Sequence, residues 1–199
     1  MITGSEEESR ALMMNAAIRI LVQYGLEGFT TKKWAAEAGV SEGSLYYHFK
    51  SKSELLEDTF YSISQGIADL YKECSPIPQG ASAEEIREAM GSIWRTFYRY
   101  MIKHPEETIF YYRFRTSPRC TAEVRAKQLQ LFCEQPVFRE LPASFAGKIG
   151  LRTASDVLQN FLTEAAFSAV FRVVTGEIAA GENTEAQLET LLLDGILGS

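Results

Sequence analysis

Between Thr30 and Lys52 the chain reads TTKKWAAEAGVSEGSLYYHFKSK, two short helical runs held apart by Gly39-Val40-Ser41. A three-residue turn containing glycine forces two such helices to cross rather than continue, which is a helix-turn-helix. Trp34 with Ala35, Ala36 and Ala38 supplies the packing face of the first run. Thr30 is placed to cap it, and Gly39 to end it in the left-handed region that glycine adopts cheaply. Ser41 caps the second run, about 42–49, in which Leu45 and Phe49 face inward. The rest of that run is small, aromatic or histidine rather than a continuous apolar stripe. Such a surface suits a helix that enters a DNA groove.

The flanking chain is helical too. Met13, Ala16, Ala17, Ile20, Leu21 and Tyr24 recur at steps of three and one, an amphipathic helix over 6–24 that Gly25 and Gly28 stop. Ser51 and Glu54 form an S-x-x-E capping box for a fourth helix running to about Lys72. Its stripe of Leu56, Phe60, Ile63, Ile67 and Leu70 is longer than a small head can cover, so its second half joins the body. A loop, CSPIPQGAS, occupies 74–82. Ser82 and Glu85 then open a helix to His104, and Pro105 opens another (PEETIFYYRFRTS) that Thr116-Ser117-Pro118 ends. A further helix spans about 121–134, and prolines and glycines make 135–153 irregular.

The last two helices, about 154–177 and 184–197, are apolar on more than one face. Val157, Leu158, Phe161, Leu162, Phe167, Val170, Phe171 and Val174 lie on the first, and Leu188, Leu191, Leu192, Leu193 and Ile196 on the second, which Thr184 and Gln187 cap. A helix apolar nearly all round is covered on both sides, one by core and the other by a second subunit. No strand pattern occurs, so the fold reads as all-α with about nine helices: a helix-turn-helix head over 1–52 (motif about 30–49) and a bundle over 53–199.

The formal net charge of −6 argues, taken whole, against a nucleic-acid partner. Its distribution argues for one. From Arg10 to Lys52 six cations face three acids, a local +3, which leaves the remainder strongly acidic. Cys74, Cys120 and Cys133 are scattered, as reduced thiols in a cytoplasmic protein would be. The polar, acidic start is unlike a signal peptide, and no apolar run approaches the roughly 20 residues that span a bilayer. No His/Cys/Asp/Glu spacing suggests a metal, and no nucleophile stands with a base and an orienting partner, so neither a cofactor nor an enzyme is expected.

With these residues the stretch resembles the tetracycline-repressor family of bacterial transcription regulators. The family pattern stands here as Thr30-Thr31, Trp34-Ala35, Ala38-Gly39-Val40-Ser41, Gly43-Ser44-Leu45-Tyr46-Tyr47-His48-Phe49 and Lys52-Ser53-Glu54-Leu55, with Trp34 where an aliphatic residue is usual. The resemblance covers about the first 60 residues. It implies a homodimer joined through the last two helices, a three-helix DNA-binding unit and a ligand-binding bundle. The function expected from it is that of a repressor on a palindromic operator, released by a small apolar or aromatic effector. A helical sensor or interaction protein without DNA binding is the alternative.

Candidate contacts follow from chemistry and resemblance together. Lys52 meets a phosphate with charge and helix dipole. Tyr46, Tyr47 and His48 donate to phosphates or pack on thymine methyls, and Thr31 offers a hydroxyl and amides. The resemblance assigns Lys32 to a guanine edge, and Lys33 stays solvated. Glu42, Gly43 and Ser44 lie at the start of the recognition helix, where bases are read; Glu42 accepts from cytosine N4. His104 reads as a helix cap. For the effector, crowded rings on the fifth and sixth helices suggest Trp94, Tyr98, Tyr111, Arg115, Phe167 and Phe171. Rings at helical spacing line cores as readily as pockets, and Arg113 and Arg115 need partners or solvent.

Overall fold

The computed structural model describes residues 4–74, 77, 80–139, 155–181 and 183–197. Within them every regular element is a helix: α1 (Gly4–Tyr24), α2 (Thr31–Ala38), α3 (Glu42–His48), α4 (Lys52–Leu70, continued by a 3-10 turn at Tyr71–Glu73), α5 (Ala83–Lys103), α6 (Pro105–Arg115), α7 (Ala122–Cys133), the single turn α8 (Pro136–Arg139), α9 (Ser155–Val174) and α10 (Thr184–Leu197). The all-α expectation holds, with nine helices longer than one turn among the described residues. The irregular stretch expected at 135–153 begins with α8, and its residues 140–153 lie outside the described residues, as do the side chains of Val157, Leu158, Leu162 and Ile196.

Local chemistry sets the head. The Thr30 hydroxyl accepts from the Lys33 amide, and Ser41 accepts from the Ser44 amide. Gly39, at φ 67°, closes α2 by donating to the Ala35 and Ala36 carbonyls. Gly28 is required for space: a Cβ there would stand 2.4 Å from the Tyr24 carbonyl oxygen. Trp34, 1% exposed, fills the centre between Phe29 and Phe49, and its indole N–H donates to the Met13 carbonyl at 2.9 Å. This ties α2 to α1 through a bond that an aliphatic residue cannot make.

Several expectations are corrected here. Tyr24 is exposed rather than part of the buried stripe, and it lies beneath the Lys33 ammonium, 3.9 Å from its ring. Ala36 is exposed, so Trp34, Ala35 and Ala38 alone make the α2 packing face. Ser51 caps α4, but Glu54 reaches past it to accept from the Lys50 amide at 2.6 Å. The complete capping box belongs to Ser82 and Glu85. Thr184 begins α10 and spends its hydroxyl on Ala179 and Gly181 of the preceding loop, not on Gln187.

One apolar core runs from Met13 in the head to Val173 in the body, and α4 threads it with Leu55, Leu56, Phe60, Ile63 and Ile67. α6 packs between α1, α4 and α9. α10 lies antiparallel on α5, held by Arg87–Asp194 (2.8 Å), Arg95–Glu189 (2.7 Å) and Arg99–Glu185 (3.0 Å), and by the Trp94 indole N–H donating to the Glu185 carbonyl at 3.2 Å. No helix of the described residues is long and apolar enough to cross a membrane, and Cys74 and Cys120 are free thiols.

Candidate functional site

The outward face of the head is built on α3. Leu45 and Phe49 are fully buried and anchor it, with the Arg10 guanidinium 4.2 Å above the Phe49 ring. That inward anchor leaves Glu42, Gly43, Tyr46 and Tyr47 exposed on one side, two i,i+4 pairs along a single face. Tyr47 is 78% exposed. The Tyr46 hydroxyl lies 3.4 Å from the Thr31 Oγ1, joining the far part of α3 to the start of α2. A Cβ added at Gly43 would meet nothing closer than the Ser41 Oγ at 3.8 Å, so packing does not demand glycine there. Ser44 is half-buried beside its cap. His48 turns inward: it is half-buried, its carbonyl accepts from Arg10, and its Nδ1 is buried with no hydrogen-bond partner.

The cations of the head are less available than their number suggests. Arg10 pairs with Asp58, and Arg19 with Glu37. The Lys33 ammonium donates to the Gly28 carbonyl at 3.1 Å, so it is not merely solvated. Lys52 donates to the Phe29 carbonyl and lies 4.8 Å from the Phe29 ring. Burial, and then the charge of Arg119, lower its pKa. Lys32 and Lys50 are exposed, and their side chains have no partner among the described residues. Lys50, in the turn between α3 and α4, is not singled out by the sequence because nothing in the pattern distinguishes a committed lysine from an uncommitted one.

The six residues expected at an effector site separate into three groups. Tyr111, Arg115 and Phe167 come together: Tyr111 is stacked between Phe60 (4.7 Å between centroids) and Phe167 (4.5 Å). Arg115 sits beside them, its Cζ 5.9 Å from the Phe167 ring. Trp94 and Tyr98 pack on each other at 5.5 Å nearer α10, and Phe171 stacks on Tyr112 at 4.3 Å. Sequence reasoning missed Gln128, wholly buried on α7, which links Tyr111 to Arg115. A glutamine on a helix that mixes polar and apolar residues carries no local sign of burial.

Arg113 points the other way from Arg115. Its Nη1 donates to the carbonyls of Leu21 (3.2 Å) and Val22 (3.0 Å) in the last turn of α1. A cleft of about 190 Å³ also lies where head meets body, between Met14 and Ile18 of α1, Thr59 and Ile63 of α4, and Tyr100 with Glu107. None of the expected effector residues lines it. His104 caps α5 with its backbone, as expected, while its ring stacks on Tyr100 at 4.4 Å. No group of three His, Cys, Asp or Glu among the described residues could hold a metal ion.

Comparison with known proteins bears on both halves. Residues 13–59 match the family model for bacterial regulatory proteins, tetR family. The HTH-type transcriptional regulator AcrR of Shigella flexneri is 29% identical over 84 residues, 42% of this chain and 39% of that protein. The chain therefore matches about two-fifths of that relative's length. A TetR family transcription regulator from Marinobacter aquaeolei VT8 superposes with a TM-score of 0.77 at 20% identity, covering 96% of this chain and 97% of the other. FadR of Bacillus subtilis, a transcriptional regulator solved in complex with stearoyl-CoA, superposes with a TM-score of 0.67 at 16% identity over 95% and 98% of the two chains. At such identities the structural likeness is one of fold. The resemblance read from Thr30–Lys52 is upheld: residues 13–59 are a tetR-type helix-turn-helix domain.

Proposed function

We propose that this chain, with its tetR-type head, is a ligand-responsive repressor that binds a palindromic DNA operator as a homodimer. The observation that carries the reading is the exposed α3 face of Glu42, Gly43, Tyr46 and Tyr47, held rigidly by buried Leu45 and Phe49 and flanked by the uncommitted cations Lys32 and Lys50. In this reading Lys32, Lys50 and Thr31 hold phosphates or groove edges, Tyr46 and Tyr47 pack on the backbone and on thymine methyls, and Glu42 accepts from cytosine. Ser44 and the backbone at Gly43 lie against the bases. His48 and Lys52 contribute less than their sequence positions suggest, since each is partly engaged inside the protein.

The head is residues 1–52 and the effector-binding and dimerising body 53–199. Dimerisation uses the outer faces of α9 and α10, where Phe161 and Leu191 are 67% and 71% exposed. Paired heads would then meet successive major grooves about 34 Å apart. The effector acts through α6, which carries Tyr111 and Arg115 on the side facing the body core and Arg113 on the head. A ligand that shifts α6 changes head spacing by its differential affinity for the two states. The stearoyl-CoA in FadR illustrates a partly apolar ligand in a regulator of the same fold.

The test is a gel shift of the full chain on the DNA upstream of its own gene, at two salt concentrations, against a scrambled duplex of equal length. Selective retardation that weakens with salt supports the reading. Equal affinity for both duplexes, or none, overturns it in favour of a helical sensor without DNA binding.

A further inference from the structure

Arg115 is 4% exposed, and its guanidinium is only partly satisfied. Nη1 donates to the Gln128 Oε1 at 2.7 Å, and the Gln128 amide donates to the Tyr111 hydroxyl at 2.6 Å. Nη2 donates to the Glu164 Oε1 at 2.6 Å, while Nε is buried with no partner. The Nε–H and one Nη2–H lie along the same edge of the planar group, spaced to take both oxygens of one carboxylate. Glu164 places one oxygen on Nη2 and none on Nε. A buried donor left unpaired costs free energy, so the edge is half used.

The two partners are also unequally held. Arg115 is enclosed, whereas the Glu164 side chain is 49% exposed. Glu164 can therefore swing into water, but Arg115 cannot follow and would remain an unpaired buried cation. The position needs one negative charge and can exchange its source. The neighbours are rings: Phe167 beside the guanidinium, then Tyr111 and Phe60 in a stack. Burial holds the Tyr111 phenol protonated, so no competing negative charge stands there.

We propose that Arg115 anchors the effector and that the effector is an organic monoanion, a carboxylic acid with an apolar body, whose carboxylate displaces Glu164 and takes the Nε–Nη2 edge. This rests on the ligand-responsive reading and names the ligand class. One carboxylate for one carboxylate leaves the buried charge balanced, whereas a phosphate dianion would bring a second negative charge to a single cation. The exchange also loosens α9 from α6, and Arg113, two residues earlier on α6, carries the change to the end of α1.

The test is calorimetric titration of the full chain with decanoate, 2-naphthoate and indole-3-acetate, each beside its primary amide. The expected result is that at least one acid binds and its amide binds about tenfold more weakly or worse, as loss of a charge-assisted bond implies. Glu164→Gln, which removes the competing carboxylate, tightens the acid severalfold. Arg115→Lys, which keeps the charge but loses the fork, weakens it about tenfold. If Arg115→Lys fails to fold, Glu164→Gln decides alone. Acid and amide binding alike, no heat from any acid at about 1 mM, or weaker acid binding in Glu164→Gln each overturn the proposal. No DNA is present in the cell, so failure of the operator reading and failure of the ligand class are separate results.

Discussion

Replacing Arg113 with alanine tests the link between body and head. The last turn of α1 contains no basic residue, so its carbonyls lack a cation of their own to complement the helix dipole. Arg113, from 91 residues further along, supplies one by bonding Leu21 and Val22 through a single half-buried nitrogen. Hydrogen bonds from a charged donor contribute about 1.5–3 kcal/mol when buried. Two bonds sharing one nitrogen beside solvent are worth less than twice that, and about 1–2 kcal/mol is expected. For a chain of this size the loss corresponds to a Tm lower by about 2–8 °C. Hydrogen exchange provides the sharper assay. Amides in the last turn of α1 and the turn to Phe29 should exchange about tenfold faster, while those of α5 against α10 stay unchanged. The effector's influence on DNA affinity should shrink, because one of the ties through which α6 moves the head is gone. Unchanged exchange at 18–29, or equal acceleration throughout the chain, would refute the assignment of Arg113 as a link and leave it an ordinary surface bond.

Trp34→Leu restores the aliphatic residue usual in the pattern, yet should cost about 3–5 kcal/mol in urea unfolding, from core volume lost and from the indole bond to Met13; a loss below about 1 kcal/mol would show that the site repacks. Lys32→Ala and Lys50→Ala should each flatten the dependence of DNA affinity on salt by about 0.9 per phosphate contact while leaving stability untouched. Lys52→Ala should flatten it less and loosen the α1–α2 turn; a full-size slope change with wild-type stability would return Lys52 to the phosphate. Glu42→Ala should change the selected operator sequence more than total affinity, and an unaltered consensus would remove Glu42 from base reading. Tyr100, pushed up to about 12 by burial and by Glu107, keeps its proton in the fold after the unfolded chain has begun to lose it near pH 10. Stability is therefore lost as pH rises through 10 to 12, and between pH 9 and 11 Tyr100→Phe should lose less than the wild type. Parallel pH profiles would show that Tyr100 does not contribute.

The head was legible because its determinants are local. Thr30, Gly39 and Ser41 act within three or four residues of themselves, so cap chemistry can be read directly from the string and is found in place. Even there a short-range ambiguity survived. Glu54 had two amides within reach and took Lys50 rather than Ser51, a choice of one residue that depends on how the chain enters α4. Tyr24 keeps the apolar period to the last residue of α1, but period assigns a face and not a covering neighbour, and only the Lys33 ammonium lies over its ring. Clustering of Tyr111, Arg115 and Phe167 was anticipated as aromatic crowding with a cation, while Trp94, Tyr98 and Phe171, equally aromatic, pack to either side.

What the sequence alone determined is the set of helices longer than one turn, the helix-turn-helix and the surface character of α3, since capping, turn geometry and apolar period all depend on near neighbours. What only the tertiary structure decided is the use of each charged and polar side chain. Six head cations reduce to two uncommitted ones because four find carbonyls or carboxylates on other elements. Arg113 and Arg115, two residues apart on one helix, serve opposite ends of the molecule because their partners arrive from α1, α7 and α9. Long side chains choose among acceptors brought together by packing, and that choice is not written in the spacing of residues along the chain.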